Sequence, residues 1–284
     1  MGSLNVEVAQ RAGTCYGVQR AIDLAIQAGR ASNGAEQVHT LGPLIHNPLV
    51  VKELEEEHVL MANDLERVSQ GTLIIRAHGV VPELIDRARE KDLDIVDATC
   101  PFVKKVHLAA ERLVRDGYRV VVIGEPGHPE VEGILGHAGT DALVLENVEQ
   151  ALRADISGKV GVVVQTTQTV DNFSHVVAVL SSRCKELHVV NTICNATSER
   201  QRAAAELSAR VEAMVVIGGK NSGNTRRLAE ICREHCSRTF HIEQVDELES
   251  AWFKDVSTVG VTAGASTPQR HIDQVTAWLQ DVDI

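Results

Sequence analysis

Short runs dominated by Val and Ile recur along the whole chain, at 72–75, 94–96, 120–123, 160–164, 188–190, 214–217 and 258–261. They lack the polar alternation of a strand that faces water on one side. A strand apolar on both faces belongs in a parallel sheet that is covered above and below. Longer amphipathic patterns follow many of these runs. Val103, Val106, Ala109, Ala110 and Leu113 return at helical spacing, and Gly117 supplies a stop. Residues 198–211, 224–233 and 272–279 read the same way. Strand followed by helix, repeated, predicts an α/β fold with parallel sheets. A chain of 284 residues has room for about two domains of ~150 residues, or for more if they are small. Aromatic residues make up only 3%, so the core must be aliphatic.

Three cysteines sit where a strand run ends and a helical pattern begins. Cys15 lies between 4–9 and 18–28, Cys100 between 95–96 and 103–115, and Cys194 between 189–190 and 198–210. In open α/β sheets that junction is where ligands bind. Three similar modules, each presenting one thiol from that edge, would bring three thiolates to a common centre. Thiolates ligate zinc and iron–sulfur clusters. No local Cys-x-x-Cys motif is present, so spacing leaves both ligation and plain burial open for each cysteine. Cys184, Cys232 and Cys236 read as buried structural thiols. Cys232 and Cys236, four residues apart with His235 between them, offer a metal site as the lesser alternative.

Polar residues also gather after other strand runs, at 76–79, 124–130, 165–168, 218–224 and 262–266. Together with the cysteines these loops point to one central cleft. His128 and Glu130 are expected in a turn before a helix. A carboxyl group there serves as a general acid if burial raises its pKa, or merely complements a helix dipole. Glu132 reads as an ordinary first-turn residue. Ser222, Gly223 and Asn224 open a helix, which makes either an anion site or a simple cap. Residues 262–266 form a second such loop, and His46 and His78 add donors. Neutral donors of this kind can hold a diphosphate without a cluster of Lys and Arg.

That matters because the formal net charge is −11. A nucleic-acid-binding protein would show a basic face, and none is evident. No apolar run reaches the ~18–20 residues that span a bilayer. Residues 1–10 have neither the basic nor the apolar region of a secretory signal. The expected location is the cytoplasm, where six cysteines argue against a disulfide framework. The chain is also expected to carry no extra domain after the helix at 272–279.

Read together, these motifs resemble a known family. They are Ala12-Gly13-Thr14-Cys15-Tyr16-Gly17-Val18, Ile45-His46-Asn47, Ala77-His78-Gly79-Val80, Asp97-Ala98-Thr99-Cys100-Pro101, Gly127-His128-Pro129-Glu130-Val131-Glu132-Gly133, Gln165-Thr166-Thr167, Ile193-Cys194-Asn195-Ala196-Thr197, Lys220-Asn221-Ser222-Gly223-Asn224-Thr225 and Thr262-Ala263-Gly264-Ala265-Ser266. In this order, over nearly the full length, they resemble the 4-hydroxy-3-methylbut-2-enyl diphosphate reductases of the non-mevalonate isoprenoid route.

The resemblance implies three pseudo-symmetric small α/β domains with mainly parallel sheets around a central iron–sulfur cluster. These would be 16–98, 99–191 and 192–284, joined by the N-terminal segment 1–15. It implies one [4Fe–4S] cluster per chain, held by Cys15, Cys100 and Cys194, with the fourth iron open to the substrate's hydroxyl. Glu130 would supply the proton, with Thr166 and His128 placing the substrate and relaying protons. His46, His78, Ser222, Gly223, Asn224 and Ser266 would bind the diphosphate. Electrons would come from a ferredoxin or flavodoxin, and the products would be isopentenyl and dimethylallyl diphosphate. Two departures stand out: Thr14 replaces a frequent Phe, and Gly223 a common Ser. The rival readings are a non-catalytic iron–sulfur or zinc redox sensor, and a metal-free module that binds a phosphorylated metabolite.

Overall fold

The computed structural model describes residues 4–32 and 36–282. Strand β1 (Asn5–Val8) leads into α1 (Tyr16–Ser32). There follow β2 (Val38–Leu41), α2 (Pro48–Glu56), β3 (Val59–Ala62), β4 (Thr72–Ile75), α3 (Pro82–Glu90) and β5 (Asp94–Asp97). Next come α4 (Pro101–Arg115), β6 (Arg119–Ile123), α5 (Pro129–Leu135), β7 (Leu143–Leu145), α6 (Val148–Arg153), β8 (Lys159–Val164), α7 (Val170–Ser181) and β9 (Glu186–Val189). The last group is α8 (Asn195–Ser208), β10 (Ala213–Ile217), α9 (Gly223–His235), β11 (Thr239–Ile242), β12 (Thr258–Ala263) and α10 (Gln269–Asp281).

These strands make three four-stranded sheets, in the orders β3-β2-β4-β5, β7-β6-β8-β9 and β1-β12-β10-β11. Every strand pair is parallel. In the first two sheets the second strand lies outside the first, and the third and fourth follow on the other side. The third sheet repeats this pattern with β10, β11 and β12, and β1 takes the fourth place. Its register sets Asn5 opposite Thr258 and Val8 opposite Val261.

The chain divides into two compact units. One holds the third sheet, with the described residues up to Val18, His46–Leu49 and those from Asn195 on. The other holds the first two sheets, with Gln19–Ile45 and Val50–Cys194.

Both faces of the central strands are covered, as their unbroken hydrophobicity requires. Val121, Ile123, Val160, Val162 and Val164 pack with Val176 and Leu180 of α7. Val120, Val122 and Val163 point the other way, onto Val106, Ala110 and Leu113 of α4. Gly161 marks the closest approach of helix to sheet, since a Cβ there would lie 2.8 Å from Leu113 Cδ2. The third sheet is layered alike: Val215, Ile217, Val259 and Val261 face Ile272, Val275 and Leu279 of α10. On its other side Met214 and Val216 meet Ala204, Leu207, Leu228 and Ala229 of α8 and α9.

Candidate active site

The repeated topology explains where the singled-out residues fall. All of them follow the C-terminal ends of parallel strands, where backbone N–H groups and helix starts are exposed to ligands. The loop after the first strand of each sheet, or the helix start that follows it, carries His46 (after β2), His128 and Glu130 (after β6), or Ser222, Gly223 and Asn224 (after β10). The loop after the third strand carries His78, Thr166 or Ser266. The loop after the fourth, edge strand carries Cys100, Cys194 or Cys15.

In the unit built on the first two sheets, a carboxyl group is the centre. Glu130 is only 2% exposed. Its Oε1 accepts from the Thr166 backbone N–H at 2.6 Å, and its Oε2 from the Thr166 hydroxyl at 2.9 Å. Those bonds favour the carboxylate. Burial opposes them and wins, helped by the nearby Glu125 carboxylate, and the carboxyl is pushed up to about 7. Such an acid is about half protonated at neutral pH, so it can both hold a proton there and give it away. His128 and Glu130 were expected before the helix. The structure makes His128 the N-cap of α5 and sets Glu130 in its first turn. Pro129 is the reason, because its fixed φ starts a helix at once. His128 Nδ1 accepts the Glu130 N–H at 3.1 Å, so in the neutral ring Nε2 carries the proton. The His78 ring stands edge-on to His128, with centroids 5.7 Å apart.

Both cysteines of this unit are tied to the same loops. The Cys194 N–H donates to the Thr166 carbonyl at 3.0 Å, and the Cys100 N–H to the carbonyl of Ala77, beside His78, also at 3.0 Å. His78, Cys100, His128, Glu130, Thr166 and Cys194 are therefore held by one set of adjoining contacts.

The unit built on the third sheet gathers the rest. The Cys15 N–H donates to Ala265 O at 3.1 Å, and the Thr14 hydroxyl to Thr267 O at 3.1 Å. The Ser266 hydroxyl donates to His46 O at 3.2 Å, and the Asn47 side chain to Ser266 O at 2.8 Å. Ser222 is the N-cap of α9, its Oγ accepting the Thr225 N–H at 3.3 Å. That leaves its own O–H to donate outward. Helix geometry gives the N–H groups of Gly223 and Asn224 no intrahelical acceptor. Asn224 is 4% exposed, and neither end of its amide has a hydrogen-bond partner among the described residues. The Thr225 and Thr262 hydroxyls share that condition. A buried, unsatisfied amide costs about 1–3 kcal/mol, so such a cluster is suited to a polar ligand. The sequence assigns no role to Asn47, which here ties the His46 turn to Ser266, nor, in the other unit, to Gln165 beside Glu125 and Thr167. The Gln165 side chain accepts the Glu125 N–H at 2.9 Å and donates to the Thr167 hydroxyl at 3.1 Å.

None of the six cysteines is in a disulfide. Cys15, Cys100 and Cys194 are half-buried, and each directly precedes a helix: α1, α4 and α8. A helix N-terminus favours negative charge, as a thiolate or a thiolate-bound cluster requires. The donor set therefore fits an iron–sulfur group. Among the described residues, no group of three or more His, Cys, Asp or Glu side chains is close enough to hold a single metal ion. Cys232 and Cys236 are buried, and burial pushes the Cys232 thiol up to about 12, away from thiolate chemistry. No helix among the described residues is long and apolar enough to cross a membrane.

Comparisons with known proteins agree over the whole length. The family described as LytB protein matches residues 6–280. A 4-hydroxy-3-methylbut-2-enyl diphosphate reductase of Pelobacter propionicus is 48% identical over 280 residues, covering 99% of both chains. The protein of that name from Aquifex aeolicus is 45% identical over 285 residues, covering 98% of this chain and 97% of its own. A solved structure of (E)-4-hydroxy-3-methyl-but-2-enyl diphosphate reductase, the terminal enzyme of the non-mevalonate pathway, shares 44% identity. It matches with a TM-score of 0.70 over 98% of this chain and 100% of that one. The Plasmodium falciparum E-1-hydroxy-2-methyl-but-2-enyl-4-diphosphate reductase, 27% identical, matches with a TM-score of 0.91 over 98% of this chain and 88% of that one.

Proposed function

The chain belongs to the LytB protein family, and from that premise we propose that it is an iron–sulfur 4-hydroxy-3-methylbut-2-enyl diphosphate reductase. The reaction takes two electrons and two protons, breaks the substrate's C–O bond and releases water. It leaves isopentenyl or dimethylallyl diphosphate. The observation that carries this reading is Glu130, a fully buried carboxyl gripped by Thr166 and poised to hold a proton near pH 7.

Cys15, Cys100 and Cys194 would hold one [4Fe–4S] cluster through their thiolates. When bound, that cluster supplies electrons and a Lewis-acid iron for the substrate's hydroxyl. Glu130 delivers the proton, and the Thr166 hydroxyl, bonded to its carboxyl, relays it and fixes its direction. His128, with Nε2 as donor, steadies the substrate. His46, His78, Ser222, Gly223, Asn224 and Ser266 bind the diphosphate by hydrogen bonds, with no cluster of Lys and Arg, which suits a chain of net charge −11. Residues 16–98, 99–191 and 192–284 act as three modules, the last joined by 1–15. A cytoplasmic ferredoxin or flavodoxin brings the electrons.

The test is anaerobic purification followed by iron and sulfide analysis and turnover with a reduced dye. We expect about four irons and four sulfides per chain, as a [4Fe–4S] site requires. Glu130→Gln should keep the cluster and lower kcat by about 10²–10⁴-fold. Protein that stays colourless after reconstitution would overturn the cluster reading. A loaded cluster that never consumes the diphosphate would leave a redox sensor instead.

A further inference from the structure

The loop that carries Cys15 is short, exposed at Arg11 and bent at Gly13, whose φ is +92°. Something must hold its thiol in one place. Strand register ends at Val8; beyond it the Ala9 N–H donates to Val261 O at 2.8 Å, the Gly13 N–H to Ala263 O at a long 3.4 Å and the Cys15 N–H to Ala265 O at 3.1 Å. The shortest contact to Gly13, at the bend, comes from a side chain of another element. Arg200, on α8, donates from Nη2 to the Gly13 carbonyl at 2.7 Å and from Nη1 to the Ala196 carbonyl at 3.1 Å. Arg200 is only 3% exposed. Burying a guanidinium costs several kcal/mol before its partners are counted. A residue kept there at that cost is doing something that a small apolar side chain would not.

We propose that Arg200 is the positioning residue for Cys15. Its forked guanidinium grips the Gly13 carbonyl, two residues before the thiol, and the first turn of α8, which begins directly after Cys194. One rigid donor thereby sets the backbone of one cysteine loop against the helix that leaves another cysteine. A lysine cannot do this, because an ammonium is a single point rather than a planar fork. Thr14 adds a second tether on the other side of Gly13, through its hydroxyl to Thr267 O. This inference deepens the cluster reading and rests on it for what Cys15 does, but its primary test does not require a cluster.

The experiment is amide hydrogen exchange on the purified full chain, with and without reconstituted iron and sulfide. In Arg200→Gln, peptides covering 9–18 should exchange roughly tenfold faster or more, the effect of one charge-assisted hydrogen bond. Peptides from β10 and β12 should keep their protection. Should Arg200→Gln fail to fold, Arg200→Lys decides by the same measurement. Faster exchange at 9–18 alone supports the inference, and wild-type protection there overturns it. In reconstituted protein, Arg200→Gln should also lose its cluster to air faster than wild type, with iron content and visible absorption as the readouts. A wild-type chain that binds no cluster would sink the proposed function while leaving the exchange result to decide on Arg200.

Discussion

Two buried titratable residues pull the stability of this protein in opposite directions along the pH axis. Glu130 has its folded-state pKa raised from 4.5 to about 7 by burial. The folded state then binds the extra proton, so its contribution is fully present below pH 4.5 and is lost as pH rises through about 7. A tenfold change in proton affinity is worth ~1.4 kcal/mol. Chemical denaturation of wild type and Glu130→Gln at pH 5 and pH 8 should show wild type losing on the order of 3 kcal/mol relative to the variant. Activity that uses this proton should fall above about pH 7. His107, on α4, behaves the other way. It is packed so tightly beneath the His78 turn that a Cβ on Gly79 would lie 2.7 Å from its Cε1. Burial, then the stacked His137, lower its pKa from 6.5 to about 4. The folded state keeps this ring neutral while the unfolded chain protonates it, so stability is lost as pH falls from 6.5 toward 4. Between pH 7 and pH 5, His107→Gln should remove about 2 kcal/mol of the wild type's acid sensitivity.

At the scale of elements, sequence showed strongly where burial was strongest. The aliphatic stretches of β4, β6, β8, β10 and β12 lie inside their sheets, so hydrophobicity could run unbroken. The strands it did not mark, β2, β3, β7 and β11, are three or four residues long. Of these, β2 and β11 carry His and Thr, and β3 exposes Leu60 and Met61 at a sheet edge. Four residues hold too little periodicity to tell strand from loop. Strand β9, expected at 188–190, runs from Glu186 to Val189, because edge pairing with β8 rather than side-chain character sets its start. The helix starts at Pro101 and Pro129, and at Gly223 behind its cap Ser222, owe more to single residues than to pattern. Packing between elements was not legible either. Gly161 reads as a weak spot in a strand until Leu113 is seen lying on it. Gly161→Val should cost about 1–3 kcal/mol from overpacking, seen as a lower Tm while neighbouring helices keep their circular dichroism.

For the whole molecule, the residues of the candidate site were legible as motifs, whereas their mutual support was not. Nothing local in sequence joins Thr166 to Glu130, or Arg200 to Gly13, because those bonds cross elements that only folding brings together. Charge acts at this scale as well. A chain of net charge −11 repels a diphosphate at long range. Salt screens the repulsion, with a Debye length near 10 Å at 0.1 M. The rate constant for diphosphate binding should therefore rise between about 10 and 150 mM salt. A fall would mean that local cations dominate the approach.

The place of β1 in the third sheet has a consequence for how the protein is made. Asn5–Val8 leaves the ribosome about 250 residues before its partner β12, which starts at Thr258. At about 5–20 residues per second, the opening strand waits for tens of seconds with its pairing edge bare. The sheets of Cys100 and Cys194 can close during that wait, since all their strands precede Asn195. The Cys15 loop cannot, because its anchors at Ala263 and Ala265 do not yet exist. Of these three cysteines, the one synthesised earliest is the last to be set, which ties the placing of Cys15 to synthesis of β12 and the loop after it. Ribosome-held chains stopped before β12 should show Cys15 alkylated rapidly while Cys100 and Cys194 react slowly, and equal rates at all three would contradict that order.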